Sequence, residues 1–329
     1  MKFSDITRSE ALLHLQKTAS DILSPYLKEI ENIWQPADLL PDASLANFFE
    51  EVKLLQERAK NLSYDLLAVL VGDTITEEAL PTYESWLYTV EGIRPQDGGN
   101  DNPWATWVRG WTAEENRHGD ILNKYLYLTG RINMREMEAS TQYLIADGFD
   151  IETGHDPYRN FIYTSFQELA TQISHRRVAT LAKKAGDTLL AKICGLVASD
   201  EGRHANAYST FIQRVIDIDA SEAVLAFEDM MRKKIVMPAH FLRESGMEVG
   251  KAFGHFTDAA QRLGVYTTHD YISILQQLLD EWKIGQLTDL TDTAEKAQEY
   301  LMRLPDRLMR VADRVKTPEL EYQFKWIAV

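Results

Sequence analysis

The stretch Trp111-Thr112-Ala113-Glu114-Glu115-Asn116-Arg117-His118-Gly119 is echoed later in the chain by Asp200-Glu201-Gly202-Arg203-His204, so Glu-x-x-His occurs in both. Each copy lies on helical apolar spacing. Trp107, Trp111, Glu115, His118, Leu122 and Tyr125 form one stripe, and Leu190, Ile193, Val197, Glu201, His204 and Tyr208 the other. Residues three apart on a helix project the same way, with Cβ atoms roughly 5–6 Å apart, a spacing that lets a carboxylate and an imidazole grip one metal ion. A buried carboxylate without a partner takes up a proton instead of keeping its charge, so two such pairs on apolar stripes call for a compensating cation. One copy alone is more often a solvated face or a satisfied core histidine. Here a glutamate on the preceding helix accompanies each copy: Glu77 before the first and Glu168 before the second.

One glutamate from each of two helices, with Glu-x-x-His from each of two others, is the pattern of a di-iron or di-manganese carboxylate centre in a ferritin-like bundle. The fold expected is therefore all-α, a ferritin-like four-helix bundle elaborated by further N- and C-terminal helices. Glu77, Glu115, His118, Glu168, Glu201 and His204 are the expected metal ligands. Such an oxygen-rich donor set with two imidazoles and no thiolate argues against zinc or an iron–sulfur cluster.

The 329 residues carry a formal net charge of −15, which excludes general nucleic-acid binding, since that needs a basic footprint. Hydrophobic residues make up 45%, enough for a large core. No stretch approaches the roughly 20 apolar residues of a membrane span; the candidate run is Leu66-Leu67-Ala68-Val69-Leu70-Val71. The single cysteine, Cys194, fits a reducing compartment, and Met1-Lys2-Phe3-Ser4-Asp5 has neither a secretory nor a transit composition, so a cytoplasmic location is expected.

In chain order, Ser9 is expected to cap a helix running to about Ile33, kinked at Pro25 and broken by Trp34-Gln35-Pro36. A second follows Asp42-Ala43-Ser44 with Phe48, Phe49, Val52 and Leu55. The first ligand helix spans about Ser63 to Val90, and Pro81 should kink it at Glu77 or stop it at Leu80. Pro95, Gly98, Gly99 and Pro103 mark a break before the helix that ends at Leu128 and Gly130. Helices are further expected over Arg135–Ala146, from Asp156-Pro157 through Glu168, from Gly186-Asp187 to about Ile216, and over Ser221–Lys234, Val249–Leu263, Thr268–Trp282 and Thr293–Val315. An extended tail should cover the bundle with Phe324 and Trp326. The whole, 1–329, reads as a single domain: a ligand-bearing bundle over 63–216 with packing helices over 1–62 and 217–329.

With these residues laid out, the chain resembles the soluble acyl-acyl carrier protein desaturases, the stearoyl type of plant plastids and their bacterial relatives. The resemblance rests on Trp34-Gln35-Pro36, Gly72 through Tyr83, Trp111 through Gly119 followed by Leu122 through Leu128, Tyr163 through Glu168, Asp200-Glu201 with Arg203-His204, Met230 through Lys234 and Met237-Pro238-Ala239-His240. It implies Glu77 and Glu168 as terminal and Glu115 and Glu201 as bridging ligands of two iron ions, with Thr171 near the oxygen-binding side. It also implies Asp200 and Trp34 as a link from a ligand histidine toward the surface. Trp86, Leu87, Thr89 and Val90 fall where the family lines its acyl channel. The bulk of Trp86 implies a chain-length or double-bond preference unlike that of the plant stearoyl enzyme. The implied reaction is O2-dependent insertion of a double bond into a saturated chain on acyl carrier protein, with ferredoxin as electron donor and a homodimer as assembly. Arg232, Lys233 and Lys234 are the candidate docking cluster for the acidic carrier. Gly202 and Ala205 depart from the plant pattern beside the ligands without removing any.

The competing readings are another ferritin-like di-iron oxidase (an N-oxygenase, a radical-storing small subunit or a rubrerythrin-type protein) and iron storage. Radical storage asks for a tyrosine beside the ligands, for which Tyr208 is the candidate; the long C-terminal helices weigh against a storage shell. His175, one turn beyond Thr171, is expected to be a structural, hydrogen-bonded histidine.

Overall fold

The computed structural model describes residues 7–94, 102–314, 316 and 322–328. Met1–Asp5 and the loop residues Pro95, Gly98 and Gly99 lie outside these. Eleven α-helices occur among the described residues: α1 (Arg8–Leu23), α2 (Phe48–Ala59), α3 (Tyr64–Glu78), α4 (Leu80–Leu87), α5 (Pro103–Thr129), α6 (Met134–Asp147), α7 (Pro157–Lys184), α8 (Thr188–Lys233), α9 (Phe253–Leu263), α10 (Thr268–Glu281) and α11 (Asp292–Ala312). The expected all-α architecture holds.

The helices that carry the site begin and end for local reasons. Asn102 accepts the Trp104 amide (3.0 Å) to start α5, with Pro103 in the first turn, where a missing N–H costs nothing. Gly130 ends α5 at φ +65°, a conformation glycine adopts without a Cβ penalty. Asp156 caps α7 through the amides of Tyr158 and Arg159. Asp187 caps α8 at Leu190 (2.9 Å) and also accepts the Tyr125 hydroxyl (2.7 Å), which pins the α7–α8 turn to α5. The break expected after Ile216 falls at Asp219 (φ −147°, ψ 60°) inside α8.

Four boundaries differ from expectation. Thr7, not Ser9, caps α1, in a capping box with Glu10, and α1 stops at Leu23 where Ser24-Pro25-Tyr26 tightens into a 3-10 turn instead of continuing to Ile33. The first ligand helix does not bend through to Val90. It ends at Glu78, and Ala79 (ψ 17°) separates it from α4, because Pro81 has no N–H for Glu77 and crowds that carbonyl. The helix expected from Val249 begins at Phe253.

Two apolar clusters sandwich the site. One gathers Trp104, Trp107, Trp111, Phe161, Phe166, Tyr208 and Phe211 with residues of α1, α10 and α11. The other gathers Leu66, Leu70, Leu122, Leu126, Ile193 and Val197 with residues of α2, α6 and α9. α5, α7 and α8 run through both, so the polar residues midway along them form a belt between two dry regions. The tail closes the second cluster as expected: Phe324 and Trp326 are buried, the Trp326 indole donates to Ser140 Oγ (2.8 Å), and Ile132 and Ile327 form an isolated antiparallel bridge.

Candidate metal centre

The six expected ligands converge on that belt. Glu77 comes from the last turn of α3, Glu115 and His118 from α5, Glu168 from α7, and Glu201 and His204 from α8. One donor from each of Glu77, Glu115, His118 and Glu201 lie within 4.8 Å of one another, as do donors from Glu115, Glu168 and His204. Glu115 belongs to both groups, as a bridging carboxylate must; Glu201 belongs to the first. Both imidazoles turn Nδ1 inward. His118 Nδ1 is 3.1 Å from Glu115 Oε2 and 2.9 Å from Glu201 Oε1, and His204 Nδ1 is 2.6 Å from Glu115 Oε1.

This donor set suits a pair of divalent ions. Glu115 Oε1, Glu201 Oε1 and His204 Nδ1 are buried and make no hydrogen bond of acceptable geometry. Such orphaned polar atoms cost several kcal/mol each unless something coordinates them. The proton affinities show the same tension. Burial, then the neighbouring Glu201 charge, pushes Glu77 up to about 7. Burial and the charges of Glu201 and Glu115 drive Glu168 well above the carboxylate range. Burial opposes ionisation of Glu115 as well, but His118 and His204 outweigh it and hold this carboxyl down to about 2. A cation resolves the competition by taking over the work of the protons.

The residues around the ligands fix their orientation. Trp111 Nε1 donates to Glu168 Oε1 (2.9 Å), His175 Nε2 to Glu77 Oε1 (2.9 Å), and Thr171 Oγ1 to Glu201 Oε2 (2.5 Å). Outside His118, Trp34 Nε1 donates to Asp200 Oδ2 (2.9 Å), the Trp34 ring stacks on the imidazole at 6.1 Å and 12°, and Asp200 Oδ2 faces His118 Nε2 at 3.6 Å. Arg117 lies over the Trp34 ring (4.4 Å to its centre) and Lys28 Nζ reaches Asp200 Oδ1 (3.0 Å). Four participants escape a reading of sequence: Lys28, Glu114, Arg117 and Arg203. The two arginines sit inside the ligand motifs, and that spacing was the available signal. Tyr208 lies against Trp107 (5.7 Å) and Phe211 (5.3 Å), and its hydroxyl makes no hydrogen bond to a ligand.

A cavity of about 790 Å³ reaches the centre, with Glu77, Glu115, Thr171 and Glu201 in its wall. Leu80, Tyr83, Phe253 and Phe256 supply apolar lining. Arg232, Lys233, Lys234 and Arg307, all exposed, line the same cavity. The expected channel residues Trp86, Leu87, Thr89 and Val90 are not in this wall, to which α4 contributes Leu80 and Tyr83. The Trp86 indole donates to Thr153 Oγ1 (3.1 Å) and stacks on His155, while Leu87 and Val90 are buried in the first cluster. Within the basic cluster, Arg232 pairs with Glu228 (2.6 Å) and covers the Tyr300 ring (3.9 Å), and Lys233 pairs with Asp229 (3.1 Å).

Among the described residues, no helix is long and apolar enough to cross a membrane. A family model described as fatty acid desaturase matches residues 7–328. The chain is 49% identical over 322 residues to stearoyl-[acyl-carrier-protein] 9-desaturase 1, chloroplastic, of Arabidopsis thaliana, covering 97% of this chain and 81% of that protein. It is 51% identical over 307 residues to the stearoyl-[acyl-carrier-protein] 9-desaturase of Gossypium hirsutum, covering 93% and 77%. Among solved structures it resembles the putative acyl-ACP desaturase DesA2 from Mycobacterium tuberculosis H37Rv, with a TM-score of 0.52, 15% identity, and coverage of 84% of this chain and 96% of that one, a likeness of fold alone. With a belt of carboxylates and imidazoles that could hold metal ions, and a family match running nearly end to end, the chain belongs to the fatty acid desaturase family.

Proposed function

We propose that the protein is an O2-dependent acyl-[acyl-carrier-protein] desaturase that introduces a cis double bond into a saturated acyl chain at a di-iron centre held by Glu77, Glu115, His118, Glu168, Glu201 and His204. The observation that carries this reading is the cavity whose lining includes both an exposed cationic cluster and the ligand carboxylates. Its volume falls within the about 300–1,000 Å³ usual for ligand sites, and its apolar lining suits methylene groups.

The bound metal pair supplies the oxidising chemistry. The chain's own residues supply the rest. The two apolar clusters keep bulk water from the belt, which strengthens every electrostatic contact inside it. Thr171, with its hydroxyl on Glu201 Oε2, is placed to move a proton at that oxygen. Trp34 and Asp200 form the route for electrons from a ferredoxin toward His118. Arg232, Lys233 and Lys234 take the acidic carrier protein, offsetting locally a net charge of −15 that would otherwise repel it. We take the chain to act as one unit, as a homodimer in the cytoplasm, where Cys194 stays reduced.

The test is aerobic incubation of iron-loaded protein with saturated C14 to C18 acyl carrier proteins, ferredoxin, its reductase and NADPH, followed by mass spectrometry of the released acids. Loss of two hydrogens, abolished by Glu115→Ala or His204→Ala, is expected. No dehydrogenated acid from any chain, with an intact di-iron spectrum, refutes the reading.

A further inference from the structure

Part of the cavity wall is made by two arms of one chain segment. The first is Met237 with the 3-10 turn Pro238–Phe241, and the second is the start of α9, with Phe253 and Phe256. His240 joins them, its ring stacked on Phe253 at 3.9 Å and 24°. The residues between, 242–252, form neither helix nor strand, so no regular backbone ladder holds this part of the wall in place. Two features keep it compact. Ala252 N–H donates to the Leu242 carbonyl (3.1 Å), and Gly250, at φ +80°, lies so close to the His240 carbonyl oxygen that a Cβ would fall 2.8 Å from it.

Glu244 lies in this loop and is fully buried, yet it is not part of the cavity wall. Its carboxylate receives the C-terminal tail instead. The Tyr322 hydroxyl donates to Oε2 (2.8 Å), the Lys325 backbone N–H donates to Oε1, and Lys325 Nζ donates to the Ser245 carbonyl beside it (2.6 Å). The Tyr322 ring also lies flat on His255 of α9, at 3.9 Å and 4°. The tail therefore touches both arms outside the cavity, at Glu244 on one and His255 on the other. It is anchored in turn to the bundle. Phe324 N–H donates to Tyr64 Oη (2.6 Å), and the Trp326 carbonyl accepts the Asn133 amide (2.7 Å). A carboxylate buried away from water is costly unless hydrogen-bonded, and an apolar side chain would fill the same space more cheaply. What the carboxylate adds is a fixed link between the loop and the tail.

We propose that Glu244 is a positioning residue for the acyl-binding wall: by gripping the tail at Tyr322 and Lys325 it holds Met237 to His240 against Phe253. Binding of the acyl chain then depends on a contact that touches neither that chain nor the metal ligands. Glu244 is four residues from His240 and carries none of the ligands, so loosening it should move the wall and leave the belt as it is. This inference rests on the acyl-desaturase reading above.

The test compares full-length wild type, Glu244→Gln and Tyr322→Phe. Glu244→Gln keeps the size of the side chain but sets an amide donor where an acceptor oxygen was needed. Four quantities are read: the affinity for a fluorescent anthroyloxy-labelled stearic acid, KM and kcat separately for C14 to C18 acyl carrier proteins, the affinity for Fe2+, and trypsin cleavage after Arg243 and Lys251 in the loop. In Glu244→Gln the probe should bind about 10-fold more weakly, KM should rise by a similar factor, and loop cleavage should quicken, with kcat and Fe2+ affinity unchanged. Tyr322→Phe removes one of the same bonds and should shift the same quantities less; it carries the test should Glu244→Gln fail to fold. Wild-type probe affinity and KM in both variants, or a loss of kcat and Fe2+ affinity in step with KM, would overturn the proposal. A wild-type protein that binds Fe2+ but neither the probe nor any acyl carrier protein refutes the acyl-desaturase reading itself.

Discussion

Gly72, five residues before Glu77 on α3, packs against Phe256 of α9. A Cβ built there falls 2.3 Å and 2.4 Å from Cε2 and Cδ2 of Phe256. Real Cβ atoms do not approach an aromatic ring so closely, so Gly72→Ala must displace the ring. Overpacking of this kind costs about 1–3 kcal/mol, and the gain in helix propensity returns about 0.5–1 kcal/mol. The net loss is about 1–2 kcal/mol. With an unfolding entropy of about 2.1 cal/mol/K per residue, that lowers the melting temperature by roughly 1.5–3 °C. Calorimetry on the metal-free protein reads the shift directly. Phe256→Leu in the same chain relieves the clash, so the double variant should lose less than the sum of the single losses by at least about 0.5 kcal/mol. A Gly72→Ala protein as stable as wild type, or a strictly additive double variant, would show that the two helices do not pack as described.

Four further outcomes are expected. Asn160 is fully buried with neither its amide nitrogen nor its oxygen hydrogen-bonded, so Asn160→Leu, of similar shape, should leave urea stability unchanged or raise it by about 1–3 kcal/mol, whereas a loss would reveal an unseen polar partner. Trp326→Ala removes a fully buried indole and its bond to Ser140, and should cost about 3–5 kcal/mol and expose the tail to proteolysis. In the metal-free protein Glu77 titrates near 7, against 4.5 for a free carboxyl, so between those values the folded chain holds a proton the unfolded chain has released. That contribution, roughly 3 kcal/mol at most, is present below the lower value and lost as pH rises through the upper one; Glu77→Gln should flatten the profile in urea melts, and an unchanged slope would count against the assignment. Finally, Trp86 lies outside the cavity wall with its indole on Thr153 Oγ1, so Trp86→Met should leave the chain-length and double-bond preference seen by product analysis unchanged, and a shifted product profile would return Trp86 to the acyl site.

Periodicity and spacing sufficed for much of this protein. The convergence of Glu77, Glu115, His118, Glu168, Glu201 and His204 on one belt was legible because carboxylates and imidazoles stand there on apolar stripes, where packing alone does not explain them, and the positions of most helices followed from the same 3.6-residue rhythm. Caps such as Asp156, Asp187 and Gly130 were legible too, since they act on amides and carbonyls next to them in the chain. Tertiary structure decided the rest. Whether Pro81 bends a helix or divides it depends on what Ala79 and Glu77 can reach, and the structure divides it. The crossing of Glu114 to His204 and of Asp200 toward His118 joins residues 90 and 82 positions apart, and no local preference encodes which acid serves which imidazole. The cavity belongs to the same class: α3, α4, α7 and α9 each bring one wall to it, and its enclosed space exists only where those walls meet.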